Sequence, residues 1–519
     1  MPGPLQRVFP LALIMTLAAC DQNAQFTQAE PGEALSAGSA TVFKSDRNAF
    51  SQPSANLSPS RRLDFSVGNS FFRNPWVIAP STTIARDGLG PLFNTNACQN
   101  CHIKDGRGHP PEAEAVSASS MLVRLSLPNG SADAELLERL GVVPEPTYGA
   151  QLQDMAVPGV PPEARVRISY SPQMVTFADG SSVELRRPQL QISQLGYGPM
   201  HPDTRFSARI APPIIGLGLL EAIPEAAILA NADPDDSNAD GISGRANRVW
   251  DRAQQRSVLG RFGWKAGQPS LNQQNAEAFA NDMGLTSSLV ARDNCSASQS
   301  ACLAAPNGGA SRPLKNVGEA AETRQKQAKK RSLHGVNEHF DPDFNAVSAT
   351  LVVFQQPASE VSDSILASIL FYTRNLGVPA RRGVDEAQVI AGKNLFHAAG
   401  CQGCHTPQFT TAADAAEPEL ANQRIRPYSD LLLHDMGEEL ADNRSEFLAS
   451  GREWRTPPLW GLGLGEAVNG HTQLLHDGRA RNPLEAILWH GGEAQAAQQR
   501  VLNFSAEERT ALLAFLNSL

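Results

Sequence analysis

Long apolar runs are scarce in this 519-residue chain, and so are aromatic residues, at 6%. The longest apolar stretch, residues 8–17, is too short for a permanent bilayer-spanning helix, and no later segment is better suited. Sparse aromatics argue against a stacking platform for bases or a sugar-binding cleft. Excess positive charge is missing as well. The formal charge of −9 argues against a nucleic-acid binder, which is usually basic. An even cysteine count is also lacking: seven cysteines cannot all pair with one another, so at least one has another job. Hydrophobic residues, at 41%, are abundant enough for real cores and exclude wholesale disorder. The length corresponds to about three domain-equivalents.

The first cysteine belongs to the leader. Arg7 precedes the apolar residues 8–17, then Ala18-Ala19-Cys20 follows, the order of a secretory signal. Leu17-Ala18-Ala19-Cys20 resembles a bacterial lipobox, in which the Cys is lipid-modified and becomes N-terminal. Asp21 resembles the signal that retains some lipoproteins at the inner membrane. These features predict a signal peptide at 1–19 and a periplasmic body anchored to the membrane at Cys20. Residues 20–60, rich in Ala, Ser, Gln and Gly, read as a flexible tether.

Cys98-Gln99-Asn100-Cys101-His102 and Cys401-Gln402-Gly403-Cys404-His405 are both C-x-x-C-H, the attachment pattern of c-type haem. Two thiols one helical turn apart reach two vinyl groups on a porphyrin edge, and the following His lies beneath the iron as proximal ligand. The surroundings also recur. Leu92-Phe93 and Leu395-Phe396 precede the two motifs at the same offset. Residues 211–222 match 456–467 at eight of twelve positions, centred on Pro-Pro-x-x-Gly-Leu-Gly-Leu. Each half closes with an amphipathic segment: Ile365, Leu366, Ile369, Leu370 and Leu376 in the first, Leu512, Leu513, Phe515, Leu516 and Leu519 in the second. A Ser505–Glu508 capping box opens the latter. The expectation is a mainly α fold of two cytochrome c-like haem domains, 61–380 and 381–519. Insertions enlarge the first, including a small β element with strands at 166–170 and 183–192 around an Asp179-Gly180 turn. The basic stretch 310–331 reads as a solvated loop or a docking site for an acidic donor.

These motifs, together with Gly260-Arg261-Phe262-Gly263-Trp264, residues 233–245 and 455–463, and the His476-Asp477-Gly478-Arg479 segment running on to His490, resemble the di-haem oxidoreductases related to bacterial di-haem cytochrome c peroxidases. The resemblance implies two covalently bound haems, a periplasmic electron donor such as a small cytochrome or cupredoxin, and a small oxidant such as hydrogen peroxide. Electrons would be relayed through the second haem to the first. It places the second haem's distal ligand at His490, with Met436 as rival. The repeat partner of His490 is Asn231, so the first haem is expected to lack that ligand and to be the reactive one. Tyr197 and His201 are its candidate distal residues, with His109 and Met121 behind them.

Peroxide cleavage needs a group that moves a proton, and Glu221 is the candidate, against a structural role shared with its repeat partner Glu466. Trp264 is either an inter-haem relay or a packing residue. His476 is a candidate partner for a haem propionate. Asp236, Asn238 and Asp240 have the alternating oxygen pattern of a calcium loop, and calcium is the second cofactor considered. Cys295 and Cys302 remain for a local disulfide. The rival functional reading is an electron-transfer cytochrome with two six-coordinate haems; a third is an oxidase acting on a thiol or protein side chain.

Overall fold

Glycine and proline, at 41 and 37 residues, break the chain into short pieces. The computed structural model describes residues 25–112, 117–130, 133–306, 308 and 359–519. Leader residue Cys20, its neighbour Asp21 and the basic stretch 310–331 lie outside them. No described helix exceeds 13 residues. Helix accounts for 30% of the structure and strand for 18%, spread over six small sheets, so the expectation of a mainly α fold with two cytochrome c-like domains is not met. Helical periodicity is real where it was read, but most of the chain between those segments is turns, loops and two- or three-stranded ribbons.

One helix pair does recur. Helix α1 (Arg61–Arg73) crosses α4 (Asp363–Arg374), and α5 (Ala387–Ala398) crosses α7 (Ala506–Ser518). Both crossings are close because a glycine sits at the contact. A Cβ on Gly68 would overlap the Ser368 carbonyl and meet Tyr372; one on Gly392 would overlap the Ala511 carbonyl and meet Phe515. Four residues on from each glycine, Phe72 and Phe396 lie 6.2 and 6.3 Å from the rings of His102 and His405. The counterpart of Phe396 is therefore Phe72. Phe93, matched to it by sequence offset, lies in the two-residue strand Leu92–Phe93.

The Pro-Pro-Gly segments join the halves. Gly216 and Gly461 both have left-handed φ, +68° and +75°, conformations that favour glycine. A side chain on Gly216 would strike Trp460, and one on Gly461 would strike Ile215 and Phe50, so each segment seats the residue before the other's glycine. Two residues on, Gly218 and Gly463 lie against the carbonyls of Arg374 and Asn517, near the ends of the two closing helices. Phe50, Ile215, Leu219, Val378, Ile425 and Trp460 share one apolar core.

Residues 25–60, a tether by composition, are packed where described. Ala37, Ala40, Ala49 and Phe50 are buried. Glu33 pairs with Arg381 and with Lys393 at 2.9 Å, and Arg426 donates to the Gly32 carbonyl at 2.9 Å. Small residues let this segment lie flat, and its few apolar and acidic side chains anchor it. The predicted β element is present: β2 (Arg165–Thr176) and β3 (Ser182–Ser193) form a hairpin in which Thr176 pairs with Ser182 around the Asp179-Gly180 turn. Behind it, β1 (Met121–Ser126) pairs along its length with β4 (Arg205–Ile210).

Candidate functional site

Cys98 and Cys101 lie on the one-turn helix α2 (Cys98–Cys101), and Cys401 opens a 3-10 turn after Gly400, whose φ is +84°. All four thiols are unpaired. Burial pushes Cys98 and Cys401 up to about 12, so they are held as thiols. Both motif histidines are fixed in the same way. His102 Nδ1 lies 2.8 Å from the Pro212 carbonyl and His405 Nδ1 lies 2.9 Å from the Tyr428 carbonyl. A carbonyl only accepts, so each Nδ1 carries the proton and each Nε2 keeps its lone pair, the arrangement of a metal-bound histidine. Burial lowers both imidazoles to about 4, which keeps them neutral.

A cavity of about 590 Å³ opens on the second motif, within the ~300–1,000 Å³ of cofactor sites. Cys401, Cys404, His405, Met436, His476 and His490 all line it. His490 follows helix α6 (Pro483–Leu488), and its Nδ1 donates to the Ala486 carbonyl at 2.6 Å. It is thus a third half-buried histidine with its Nδ1 on a carbonyl, close enough to His405 to help depress it. Met436 runs beside it, with the Met436 carbonyl against Gly491. The donor set, buried thiols and cavity size fit a haem at this motif.

Around the cavity lie groups that the sequence reading had not assigned. His434 Nε2 contacts Asp430 at 2.8 Å and its Nδ1 contacts Glu493 at 2.7 Å, while Cys404 Sγ is 3.4 Å from Nδ1. Burial would strip this imidazole of its proton, but the two carboxylates outweigh burial and raise it well above its usual range. His434 is therefore an imidazolium beside the thiol. Trp454 stacks on His476 at 3.8 Å with the rings 12° apart. Lys265, fully buried, places its ammonium 4.1 Å from the centroid of the Trp454 ring and pairs with Asp442 at 3.2 Å. His434 and Trp454 face each other because β5 (Leu433–Asp435) pairs with β6 (Glu453–Arg455), and Lys265 arrives beside them from the segment that carries Trp264.

Other predicted residues are placed as follows. Trp264 lines the cavity, edge-on to His476 at 6.5 Å, with its indole N–H donating to Ile210 at 2.8 Å. Burial lowers His476 to about 4, and its nearest charged partner is Asp477 at 3.7 Å. Glu221 does not line the cavity. One oxygen accepts from Arg374 at 2.6 Å and the other from the Leu271 amide at 2.9 Å, the first turn of α3 (Leu271–Met283). This carboxylate ties α4 to α3 through Arg374 and the Leu271 amide, outside the second-motif cavity. Tyr197 donates to the Pro161 carbonyl at 2.8 Å, and His201 is exposed, its Nδ1 accepting from the Asp203 amide. Neither lines the cavity. His109 donates to the Pro110 carbonyl, and Met121 is a buried strand residue. Asn231 is exposed and donates to the Ala227 carbonyl four residues back, the same local bond that His490 makes to Ala486.

Asp236, Asn238 and Asp240 lie in one exposed turn that is hydrogen-bonded within itself. Asp236 accepts from the Gly241 amide, Asp240 accepts from the Ile242 amide, and Asn238 donates to Asp240. No three His, Cys, Asp or Glu side chains converge on a metal position among the described residues. Cys295 and Cys302 are disulfide-bonded.

A family model described as "Di-haem oxidoreductase, putative peroxidase" matches residues 32–329 and 347–519. No curated protein matches. Among solved structures, the chain is similar to Kuenenia stuttgartiensis hydrazine synthase (pressurised with xenon) at 19% identity, over 32% of this chain and 58% of that one. The chain thus spans little more than half of that relative. The TM-score of 0.21 carries no argument about fold.

Proposed function

The chain belongs to the di-haem oxidoreductase family, and from that premise we propose a periplasmic c-type enzyme that reduces peroxide. Its two haems would be attached covalently at Cys98/Cys101 and Cys401/Cys404, and the body anchored to the inner membrane through Cys20. When bound, haem supplies electron transfer, and peroxide chemistry where its iron keeps an open position. His102 and His405, each held by a backbone carbonyl, would hold the two irons. His490 is the distal residue of the second site. The first site, whose repeat position holds the exposed Asn231, is the one that meets peroxide; the second takes electrons from a small cytochrome or cupredoxin.

The observation that carries this reading is the shared geometry of His405 and His490: both line one cavity with Nδ1 on a carbonyl. Spectra of the purified full chain, with and without cyanide and peroxide, test it. The expected result is two haems per chain by pyridine haemochrome, one responding to cyanide, with oxidation of a reduced donor cytochrome on adding peroxide. His490→Ala should make the second haem respond as well. Two haems that both ignore cyanide and peroxide would make the protein an electron carrier instead.

A further inference from the structure

Arg107 sits five residues beyond His102, yet it belongs to the cavity of the other half. The second half grips its backbone. Its amide donates to Asn469 Oδ1 at 3.2 Å, and its carbonyl lies 3.1 Å from His471 Nε2. Asn469 also donates to the Ile103 carbonyl at 2.8 Å and packs so closely on Gly106 that a Cβ would overlap it. The loop after the first motif is thus pinned with Arg107 directed into the space beside the second.

Its guanidinium has no hydrogen-bond or carboxylate partner among the described residues. It lies 5.9 Å from the centroid of the Trp264 ring, the outer limit of a cation–π interaction. Buried guanidiniums elsewhere have partners: Arg209 and Arg444 with Glu446, Arg479 with Asp477, and Arg455 with the Gly263 and Thr456 carbonyls. Burial alone lowers Arg107 to about 10, with no carboxylate opposing it. Arg107 is half-buried and faces the cavity, and a planar guanidinium there is best satisfied by a bidentate carboxylate.

We propose that Arg107 is a carboxylate clamp, carried from the loop of the first attachment motif to bind a propionate of the haem held by the second. The inference rests on 401–405 being a haem attachment motif. A free small carboxylate would satisfy the same group, and the test separates the two sources. Spectroelectrochemical titration of the two-haem full chain reads it, since a cation near a haem favours the reduced state. Arg107→Gln should lower the midpoint potential of the second haem, the one whose spectrum changes in His490→Ala. Arg107→Lys should recover part of the shift, while Arg256→Gln, at an exposed site that does not line the cavity, should leave both potentials unchanged. If Arg107→Gln does not fold, Arg107→Met, which keeps the apolar stem, carries the same expectation.

Unchanged potentials in a variant that retains both haems would overturn the clamp. A wild-type potential that depends on added acetate, with the dependence lost in Arg107→Gln, would support a clamp for a free carboxylate. Loss of haem from the unsubstituted protein would instead refute the attachment reading.

Discussion

Glu446 lies between two buried guanidiniums: Arg209 at 2.8 Å and Arg444 at 2.6 Å share one of its oxygens. Burial pushes its carboxyl up, but the two cations outweigh this and hold it well below the usual range. Glu446→Gln leaves buried Arg444 without its carboxylate and Arg209 with only Asp442, at 3.6 Å, and should cost about 3–5 kcal/mol, measured by denaturant unfolding of the holoprotein. Glu493 behaves differently because it titrates in an accessible window. Burial raises it, but His434 and Ser243 outweigh burial and hold it at about 2 against an unperturbed 4.5. Its folded pKa is the lower one, so its contribution to stability is fully present above about 4.5 and is lost as pH falls towards 2. Glu493→Gln should therefore flatten the acid limb of stability against pH relative to wild type. An identical acid limb in the variant would show that the carboxylate does not hold His434 in place.

At the level of elements, the two helix crossings depend on glycine for proximity, not for flexibility. Gly→Ala on an exposed helix stabilises by about 0.5–1 kcal/mol. At Gly68 and Gly392 the added methyl would overlap a carbonyl of the partner helix, so overpacking reverses the sign to a cost of about 1–3 kcal/mol. Thermal melts of both variants check this. The start of α7 is held by its capping box, with Ser505 Oγ accepting from the Glu508 amide at 3.2 Å and Glu508 accepting from the Ser505 amide at 2.8 Å. Ser505→Ala should cost about 0.5–2 kcal/mol without altering the haem spectrum. That helix was readable because a cap, a 3.6-residue stripe and a chain end coincide. The hairpin was readable because alternation flanked an Asp-Gly turn. Helix α1 buries Phe65, Gly68 and Phe72, an i, i+3, i+7 stripe whose middle position is a glycine, and Gly68 is informative only once α4 lies against it.

Across the whole molecule, the halves share a core instead of closing separately. Ile425, Leu432 and Trp460 pack with Phe50, Ile215 and Leu219, and residues 25–60 lie on both. A fragment of residues 381–519 should therefore not fold alone, losing helical circular dichroism and becoming protease-sensitive where the full chain resists. A stable fragment would show that the shared core is dispensable. The sequence by itself determined the two attachment motifs, the repeated Pro-Pro-Gly segments, the β2–β3 hairpin and the last helix, because each is written in local spacing: two thiols and a His, a glycine at positive φ, a turn, a cap. It also placed His490 and Met436 as rivals, and the structure brings both to one cavity. Only tertiary structure decided that Glu221 is a tie between helices, that the composition-poor segment 25–60 is core, and that His434, Trp454 and Arg107 converge on the second motif. Those depend on partners far away in the chain, and burial and charge pairing between distant segments leave no periodic trace in the sequence.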